Sequence, residues 1–352
     1  MTSPRLLQAV TVASCLSALA WAPAAQADVK LNGSGASFPF PIYAKWFKDF
    51  SRANKDIRVD YQAKGSGAGI QDLINGVVDF AASDAAMKDD EMAQVKQGLV
   101  LLPMTAGEVV LAYNLKGVSE LKLPRDVYPE IFLGKITKWN DPRIAAANPG
   151  VDLPDDDITV VVRSDSSGTT YVFTGHLSHI SETFKTEVGQ AKAPNWLASD
   201  NFIKAPKNDG VTAQIKQIPG AIGYIEYGYA KLTKQPTAML ENKSGNFVGP
   251  GPESGAAALA SAEFPEGTLP GSDVPNLVAW VWDPAGDNAY PIATMTWLLL
   301  YQDQDDDKAA ALRKLVDYCT SEEAQSQADG LGYIPLPAEV IEKVRAAAAF
   351  VQ

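Results

Sequence analysis

Three short segments of the chain place small and hydroxyl residues directly before stretches with helical character. They are residues 33–39 (GSGASFP), 65–69 (GSGAG) and 166–170 (SSGTT). A helix start presents backbone N–H groups that lack intrahelical partners, together with the positive end of the helix dipole. Small residues let an anion approach these groups, so the segments indicate sites for a tetrahedral oxyanion. Ordinary capping by Ser or Thr is the alternative for each segment taken alone.

A single arginine stands close to the third of these segments. Arg163 ends a run of three valines and lies four residues before Ser167. Its planar guanidinium is able to reach an anion held at the next helix start, and it matches two oxyanion atoms at once. Asp165 lies between the two and is expected to fix the Arg163 side chain from behind. The alternative is a surface Arg–Asp pair, which contributes little.

Asp84 is the residue that says most about which anion is bound, if it faces the same cleft as Arg163 and the helix starts. It follows residues 79–83 (DFAAS), which read as a buried strand. A carboxylate repels an anion unless that anion carries a proton, and phosphate at neutral pH carries one whereas sulfate does not. Asp84 would therefore accept the phosphate O–H and reject sulfate. The alternative is that Asp84 caps the turn at residues 85–87.

The composition restricts the class of partner. The chain has 352 residues, of which 46% are hydrophobic and 20% charged, with a formal net charge of −12. This length allows two domains. The acidic balance argues against a nucleic-acid partner and against a polybasic membrane anchor. It does not exclude an anionic ligand, because salt screens exposed charges beyond roughly 8–10 Å.

The N-terminus has the pattern of a signal peptide over residues 1–27. Arg5 precedes a mostly apolar run at residues 6–22, and the small-residue motif AQA ends at Ala27. The run is shorter than the roughly 20 residues of a membrane-spanning helix. We therefore expect export to the periplasm and a mature chain that begins at Asp28. A lipid anchor at Cys15 is the minor alternative.

Alternating strand and helix patterns predict an α/β fold with mainly parallel sheets. Strands are predicted at residues 57–62, 79–83, 108–115 and 158–163, and helices at residues 69–78, 169–180 and 337–350. Tyr43, Trp46, Phe47 and Phe50 recur at helical spacing and are predicted to form a core-facing stripe. Residues 242–275 are rich in Gly, Pro, Ser and Ala, and are predicted to be irregular.

Two strongly apolar segments, residues 108–115 and 292–301, are predicted to flank two crossings of the chain between lobes. Residues 28–105 and 285–352 would form lobe I, and residues 106–284 would form lobe II. The chain would thus run from lobe I to lobe II and back.

The sequence resembles the periplasmic phosphate-binding protein of the phosphate-specific ABC transporter. The motifs that carry the resemblance are GSGASFPFPIYAKW at residues 33–46, YQAKGSGAG at 61–69, VDFAASDA at 78–85, FLGKITKW at 132–139, RSDSSGTTYVFT at 163–174, NDG at 208–210 and PGAIGYIEYGYA at 219–230. Several independent motifs in one order make the resemblance specific.

The resemblance implies a two-lobed binding protein of type II-like architecture, with a hinge and a ligand cleft between the lobes. It implies that inorganic phosphate is bound by Ser37, Phe38, Ser66, Asp84, Arg163, Ser167, Gly168 and Thr169, without a cofactor or metal. It also implies a monomer that docks on the permease subunits of an ABC transporter. The family often has Thr at position 37 and Gly at position 166, and neither departure removes a ligand group.

Two alternative functions are also compatible with the sequence. A receptor for sulfate or molybdate would have no carboxylate beside the anion. A secreted phosphatase would use Ser167 as its nucleophile and would need a base or metals. The only histidines, His176 and His179, are spaced i, i+3 and are expected to lie on the surface. We therefore expect no catalytic residue.

Overall fold

The protein is described by a computed structural model that covers residues 29–197 and 200–352. The predicted signal peptide and Cys15 lie outside these residues. The strands are β1 (Val29–Gly35), β2 (Ile57–Ala63), β3 (Phe80–Ser83), β4 (Leu99–Tyr113), β5 (Lys122–Leu123), β6 (Thr159–Arg163), β7 (Phe202–Ala205), β8 (Ala221–Glu226), β9 (Met239–Glu241), β10 (Phe247–Val248) and β11 (Ala293–Tyr301). The helices are α1 (Phe40–Ala53), α2 (Ser66–Ile74), α3 (Asp89–Met92), α4 (Tyr128–Phe132), α5 (Pro142–Ala147), α6 (Gly168–Ile180), α7 (Glu182–Glu187), α8 (Lys207–Gln217), α9 (Tyr227–Thr233), α10 (Pro252–Leu259), α11 (Asp306–Cys319), α12 (Glu322–Gln325), α13 (Ala328–Leu331) and α14 (Ala338–Ala348).

Eight strands form one mixed sheet in the order β2-β1-β3-β11-β4-β8-β6-β7, and β10, β9 and β5 form a small second sheet. The pairs that contain β1 or β6 are parallel, whereas β11 and β4 run antiparallel to their neighbours. The predicted α/β class with mainly parallel strands is confirmed.

The long strand β4 joins two parts of this sheet. Its residues 99–108 pair with β11, and its residues 109–113 pair with β8. We call β2, β1, β3, β11 and residues 99–108 the first half-sheet. We call residues 109–113, β8, β6 and β7 the second half-sheet. All 15 residues of β4 are buried, so the strand passes through the core rather than along the surface.

Helix α1 carries the predicted aromatic stripe. Tyr43, Trp46, Phe47 and Phe50 are all buried, and the Trp46 indole donates to the Ala324 carbonyl at 2.9 Å. The alternation of aromatic and polar residues at helical spacing therefore places α1 against the core, as predicted. A run of aromatic contacts continues from this helix to Tyr61 and Phe80 of the first half-sheet.

The prediction of irregular structure over residues 242–275 is wrong in part. The strand β10 and the helix α10 lie within it, although most of the remainder is irregular. Helix α10 begins with Pro252, and the Glu108 carboxylate accepts the N–H of Gly251 at 2.9 Å. A residue from β4 thus caps this helix from a distance. The part of the chain that the structure describes has no helix long and apolar enough to cross a membrane.

Two phenylalanines of α1 allow a matched test of the core. Phe50 is 1% exposed and Phe40 is 38% exposed. We expect Phe50→Ala to lower the free energy of unfolding by about 3–5 kcal/mol, because it leaves a cavity, and Phe40→Ala to lower it by about 1 kcal/mol or less. Urea denaturation followed by tryptophan fluorescence measures both. Equal losses would contradict this packing of α1.

Candidate functional site

The predicted site residues follow the carboxyl ends of parallel strands. Ser37 and Phe38 follow β1, Asp84 follows β3, and Arg163 ends β6. In open α/β sheets, ligands bind in the crevice beyond these strand ends. The helices α1, α2 and α6 begin in the same region, so their N-termini face the groups that the strands deliver.

The loop between β1 and α1 turns its backbone N–H groups toward this region. Tyr229 donates its hydroxyl to the Ser37 carbonyl at 2.6 Å, and Tyr333 donates to the Phe38 carbonyl at 2.6 Å. The N–H of a residue lies opposite the carbonyl of the preceding residue in a planar trans peptide. Tyr229 therefore fixes the direction of the Phe38 N–H. That N–H meets no protein acceptor among residues 29–197 and 200–352.

Asp84 is buried in the same region, at 1% exposure. Its carboxylate accepts the Thr296 hydroxyl at 2.9 Å and the Ser66 hydroxyl at 3.4 Å. Asp84 does not cap the turn at residues 85–87 in the structure, since its carboxylate accepts these two hydroxyls and no backbone N–H of that turn. Burial raises the pKa of the Asp84 carboxyl to about 7, although Thr296 and the charge of Arg163 oppose this rise.

Arg163 is 5% exposed, and Asp165 holds its side chain, as the sequence predicted. Its Nε and Nη2 atoms donate to the two Asp165 carboxylate oxygens at 2.8 and 2.6 Å. Burial opposes ionisation of Asp165, but the bonds from Arg163 and the Lys207 N–H outweigh it and keep the pKa of Asp165 low. The Arg163–Asp165 pair is therefore bidentate, with Arg163 buried and Asp165 half-buried, unlike a surface ion pair.

The start of α6 comes very close to the first half-sheet. Ser167 caps the helix by accepting the Thr170 N–H at 3.0 Å, so the capping interpretation is correct for this residue. The Gly168 and Thr169 N–H groups have no protein acceptor in the described part of the chain. A Cβ atom at Gly168 would overlap the side chains of Ser66 and Asp84. Only glycine permits this approach.

Further contacts hold the two half-sheets together around these residues. The Gly67 N–H at the start of α2 donates to the Ser166 carbonyl at 3.0 Å. Lys192 and Glu91 form an ion pair at 2.5 Å, with both side chains mostly buried. The site is thus enclosed by groups from both half-sheets.

Two neighbours of the site were missed by the sequence analysis. Thr296 of β11 reaches Asp84, and Asn208 of α8 donates to Ser37 and Thr169. The NDG motif at residues 208–210 contained Asn208, but its type and spacing carried no chemical signal. Thr296 sits in an apolar strand, so only the fold brings it to the site.

The two histidines lie away from this cluster. His176 is buried and its Nε2 lies 2.7 Å from the Tyr128 hydroxyl, so the prediction of a surface position is wrong for it. Residue 176 faces the interior because its ring stacks on Tyr128 of α4. Burial lowers the pKa of His176 to about 3, which leaves it neutral at physiological pH. His179 is exposed, as predicted.

The eight predicted site residues converge on one buried region. Gly168 lies directly against the side chains of Ser66 and Asp84, which also contact each other. Asn208 joins Ser37 to Thr169, and Thr169 in turn accepts a hydrogen bond from Arg163. Phe38 and Ser167 flank these groups. The region combines a guanidinium, backbone N–H groups and hydroxyls with one carboxylate. Such a set suits an oxyanion that carries a proton.

The comparisons with known proteins agree with this chemistry. The model of the PBP superfamily domain matches residues 22–323. The phosphate-binding protein PstS of Pasteurella multocida is 39% identical, over 90% of this chain and 89% of its own length. The phosphate-binding protein PstS of Haemophilus influenzae is 38% identical, over 92% and 93%.

Solved structures share the fold at lower identity. A phosphate-binding protein from Stenotrophomonas maltophilia has a TM-score of 0.70 at 23% identity, over 90% of this chain and 93% of its own. An ancestral soluble variant of the human phosphate-binding protein has a TM-score of 0.75 at 20% identity, with the same coverage. From the family model and the relatives above 30% identity, the chain belongs to the PstS family of phosphate-binding proteins within the PBP superfamily.

Proposed function

We propose that the protein captures inorganic phosphate between its two lobes and delivers it to the permease of an ABC transporter for import. The observation that carries this proposal is that Asp84 and Arg163 are both buried in the region where α2 and α6 begin. A guanidinium and several N–H donors attract an oxyanion, while one carboxylate demands that the anion bring a proton.

The proposed phosphate ligands are divided between the half-sheets. Phosphate would bind the Ser37 hydroxyl and N–H, the Phe38 N–H, the Ser66 hydroxyl and the Asp84 carboxylate on one side. On the other side it would bind Arg163, Ser167, Gly168 and Thr169. Arg163 keeps one Nη1 hydrogen and one Nη2 hydrogen for an anion, because Asp165 takes Nε and one Nη2 hydrogen and Thr169 accepts one Nη1 hydrogen at 3.4 Å. These donors would replace the hydration shell of the ion.

We further propose that phosphate closes the two lobes, with residues 28–105 and 285–352 as lobe I and residues 106–284 as lobe II. Only the closed state brings both sets of ligands to one ion, so the ion stabilises that state. The connection through β4 supports this division, because its pairing changes from β11 to β8 at residues 108–109. The mature chain would act in the periplasm as a monomer.

Binding without catalysis is the function that the site favours. The Ser167 hydroxyl accepts the Thr170 N–H, and the buried histidine contacts Tyr128 rather than Ser167. The relatives of highest identity named above are binding proteins rather than enzymes. Hydrolysis of an aryl phosphate ester by the mature chain, abolished in Ser167→Ala, would instead support a phosphatase.

Asp84→Asn tests whether the Asp84 carboxylate accepts the phosphate O–H and thereby discriminates against sulfate. The amide offers N–H donors in place of a repelling carboxylate, so we expect the ratio of phosphate to sulfate affinity to fall at least about tenfold. Titration calorimetry with both anions at pH 7.5 measures this ratio. The control is Asp209→Asn, which makes the same change at an exposed carboxylate. An unchanged ratio in Asp84→Asn would contradict the role of Asp84.

Gly168→Ala tests the close approach of α6. The added methyl group would overlap Ser66 and Asp84, so we expect phosphate affinity to fall about tenfold or more through overpacking. Gly330→Ala is the control, because a Cβ there meets no atom within 4 Å. Equal affinities for Gly168→Ala and the unaltered chain would show that the lobes do not close on this residue.

The raised pKa of Asp84 predicts a pH dependence of stability. The ordinary pKa of this carboxyl is 3.8, and the folded value is about 7. Between these values the folded protein holds a proton that the unfolded chain releases, so the free energy of unfolding falls as pH rises. Without phosphate, unaltered protein should lose up to about 4 kcal/mol relative to Asp84→Asn between pH 4 and 7.5. Urea denaturation of both proteins measures this, and parallel pH profiles would refute it.

A further inference from the structure

Asn208 lies at the centre of the site although it offers no group of its own to an anion. The residue is 0% exposed and stands in the first turn of α8. Its backbone N–H donates to the Ser37 hydroxyl oxygen at 3.1 Å. Its side-chain Nδ2 donates to Ser37 Oγ at 3.0 Å and to Thr169 Oγ1 at 3.1 Å. One amide therefore connects a hydroxyl that follows β1 with a hydroxyl at the start of α6.

The orientation of this amide is fixed by the backbone of β8. The Glu226 N–H donates to Asn208 Oδ1 at 2.9 Å, so the oxygen must face β8. The nitrogen must then face the two hydroxyls. Both Nδ2 hydrogens are used, one for Ser37 and one for Thr169. A flipped amide would place its oxygen against these hydroxyls and its N–H groups against another N–H.

These contacts determine what the two hydroxyls are able to do. Ser37 Oγ accepts two N–H groups of Asn208, which occupies both of its lone pairs. Thr169 Oγ1 accepts Asn208 Nδ2 and, more weakly, Arg163 Nη1 at 3.4 Å. Each oxygen has only its proton left to offer. Neither proton has a protein acceptor among the described residues, so both are available to an anion.

We propose that Asn208 is a positioning residue that turns the hydroxyl protons of Ser37 and Thr169 toward bound phosphate and links the two lobes while doing so. The proposal rests on the proposed phosphate site and adds a residue outside the ligand set that the resemblance implies. A hydroxyl is both donor and acceptor, and a free rotor spends part of its time with a lone pair facing the anion. Asn208 removes that state before the ion arrives.

The proposal predicts losses of phosphate affinity of different size for two substitutions of Asn208. Asn208→Ala removes the Nδ2 donor from both hydroxyls and leaves Ser37 Oγ with only the backbone N–H of residue 208, so phosphate affinity should fall at least about tenfold. Asn208→Asp keeps an oxygen for the Glu226 N–H but presents a second acceptor to Ser37 and Thr169, whose protons would then turn away from the ion. Asn208→Asp should therefore lose more affinity than Asn208→Ala, by a further factor of about ten. Titration calorimetry with inorganic phosphate measures both proteins.

A double-mutant cycle separates positioning from general damage to the fold. In a Ser37→Ala background the Ser37 rotor no longer exists, so Asn208→Ala should cost at least about threefold less affinity than in the unaltered chain. General damage to the fold that does not act through Ser37 would give the same loss in both backgrounds. Asn148→Ala is the matched control: Asn148 is buried and fully bonded around Lys122 and Ile144, away from the site. It should lower the melting temperature and leave phosphate affinity unchanged.

The outcomes are distinguishable. If the unaltered chain fails to bind phosphate, the proposed function and this inference both fail. If the chain binds phosphate and the cycle shows no coupling between Asn208 and Ser37, only the inference is overturned. Should Asn208→Ala not fold, Asn208→Asp in the Ser37→Ala background supplies the same test, because its added loss relative to Ser37→Ala should also shrink.

Discussion

An anion leaves water only where donors that are already in place replace its hydration shell. That constraint shapes the region around Arg163. A buried guanidinium is itself costly, and Asp165 offsets the cost by taking two of its N–H groups. Asp165 also accepts the Lys207 N–H at the start of α8, so one carboxylate orients the arginine and anchors a helix. Thr169 accepts one Nη1 hydrogen at 3.4 Å, and the remaining Nη1 and Nη2 hydrogens point in a direction fixed by the fold.

The same logic extends to the other groups of the site. Tyrosine hydroxyls hold the carbonyls of Ser37 and Phe38, and Thr296 holds one oxygen of Asp84. Each support comes from an element distant in the chain. The sheet makes this possible, because β11 returns between β3 and β4 and brings Thr296 beside the end of β3. The proposed ligand groups come from the strand ends and helix starts, whereas the residues that hold them in place come from elements brought together by the tertiary fold.

This division explains what could be predicted from the sequence. The helical stripe of α1, the small residues before α2 and α6, and the Arg163–Asp165 pair are local patterns, and local periodicity and spacing revealed them. Thr296 and Asn208 make their contacts across 212 and 171 residues. No spacing rule reaches that far. The surface position predicted for His176 was wrong for a related reason, since its burial depends on contact with Tyr128 of α4, 48 residues earlier in the chain.

The irregular segment at residues 242–275 shows a further limit. Helix α10 forms there among Gly and Pro residues because Glu108 of β4 accepts the Gly251 N–H and the Ser254 hydroxyl. A cap supplied from a distant strand leaves no local signature. The composition of residues 242–275 therefore predicted the irregular structure around α10 correctly but did not predict the helix itself.

The depth of the site also governs the kinetics of exchange. Ser37, Ser66, Asp84, Ser167 and Thr169 are each at most 1% exposed. Under the proposed binding cycle, an ion among them would leave only when the half-sheets separate. Its residence time would then be the lifetime of the closed form, rather than a sum of the individual bonds to the ion. A partner that separates the half-sheets would set the speed of release without touching the ion.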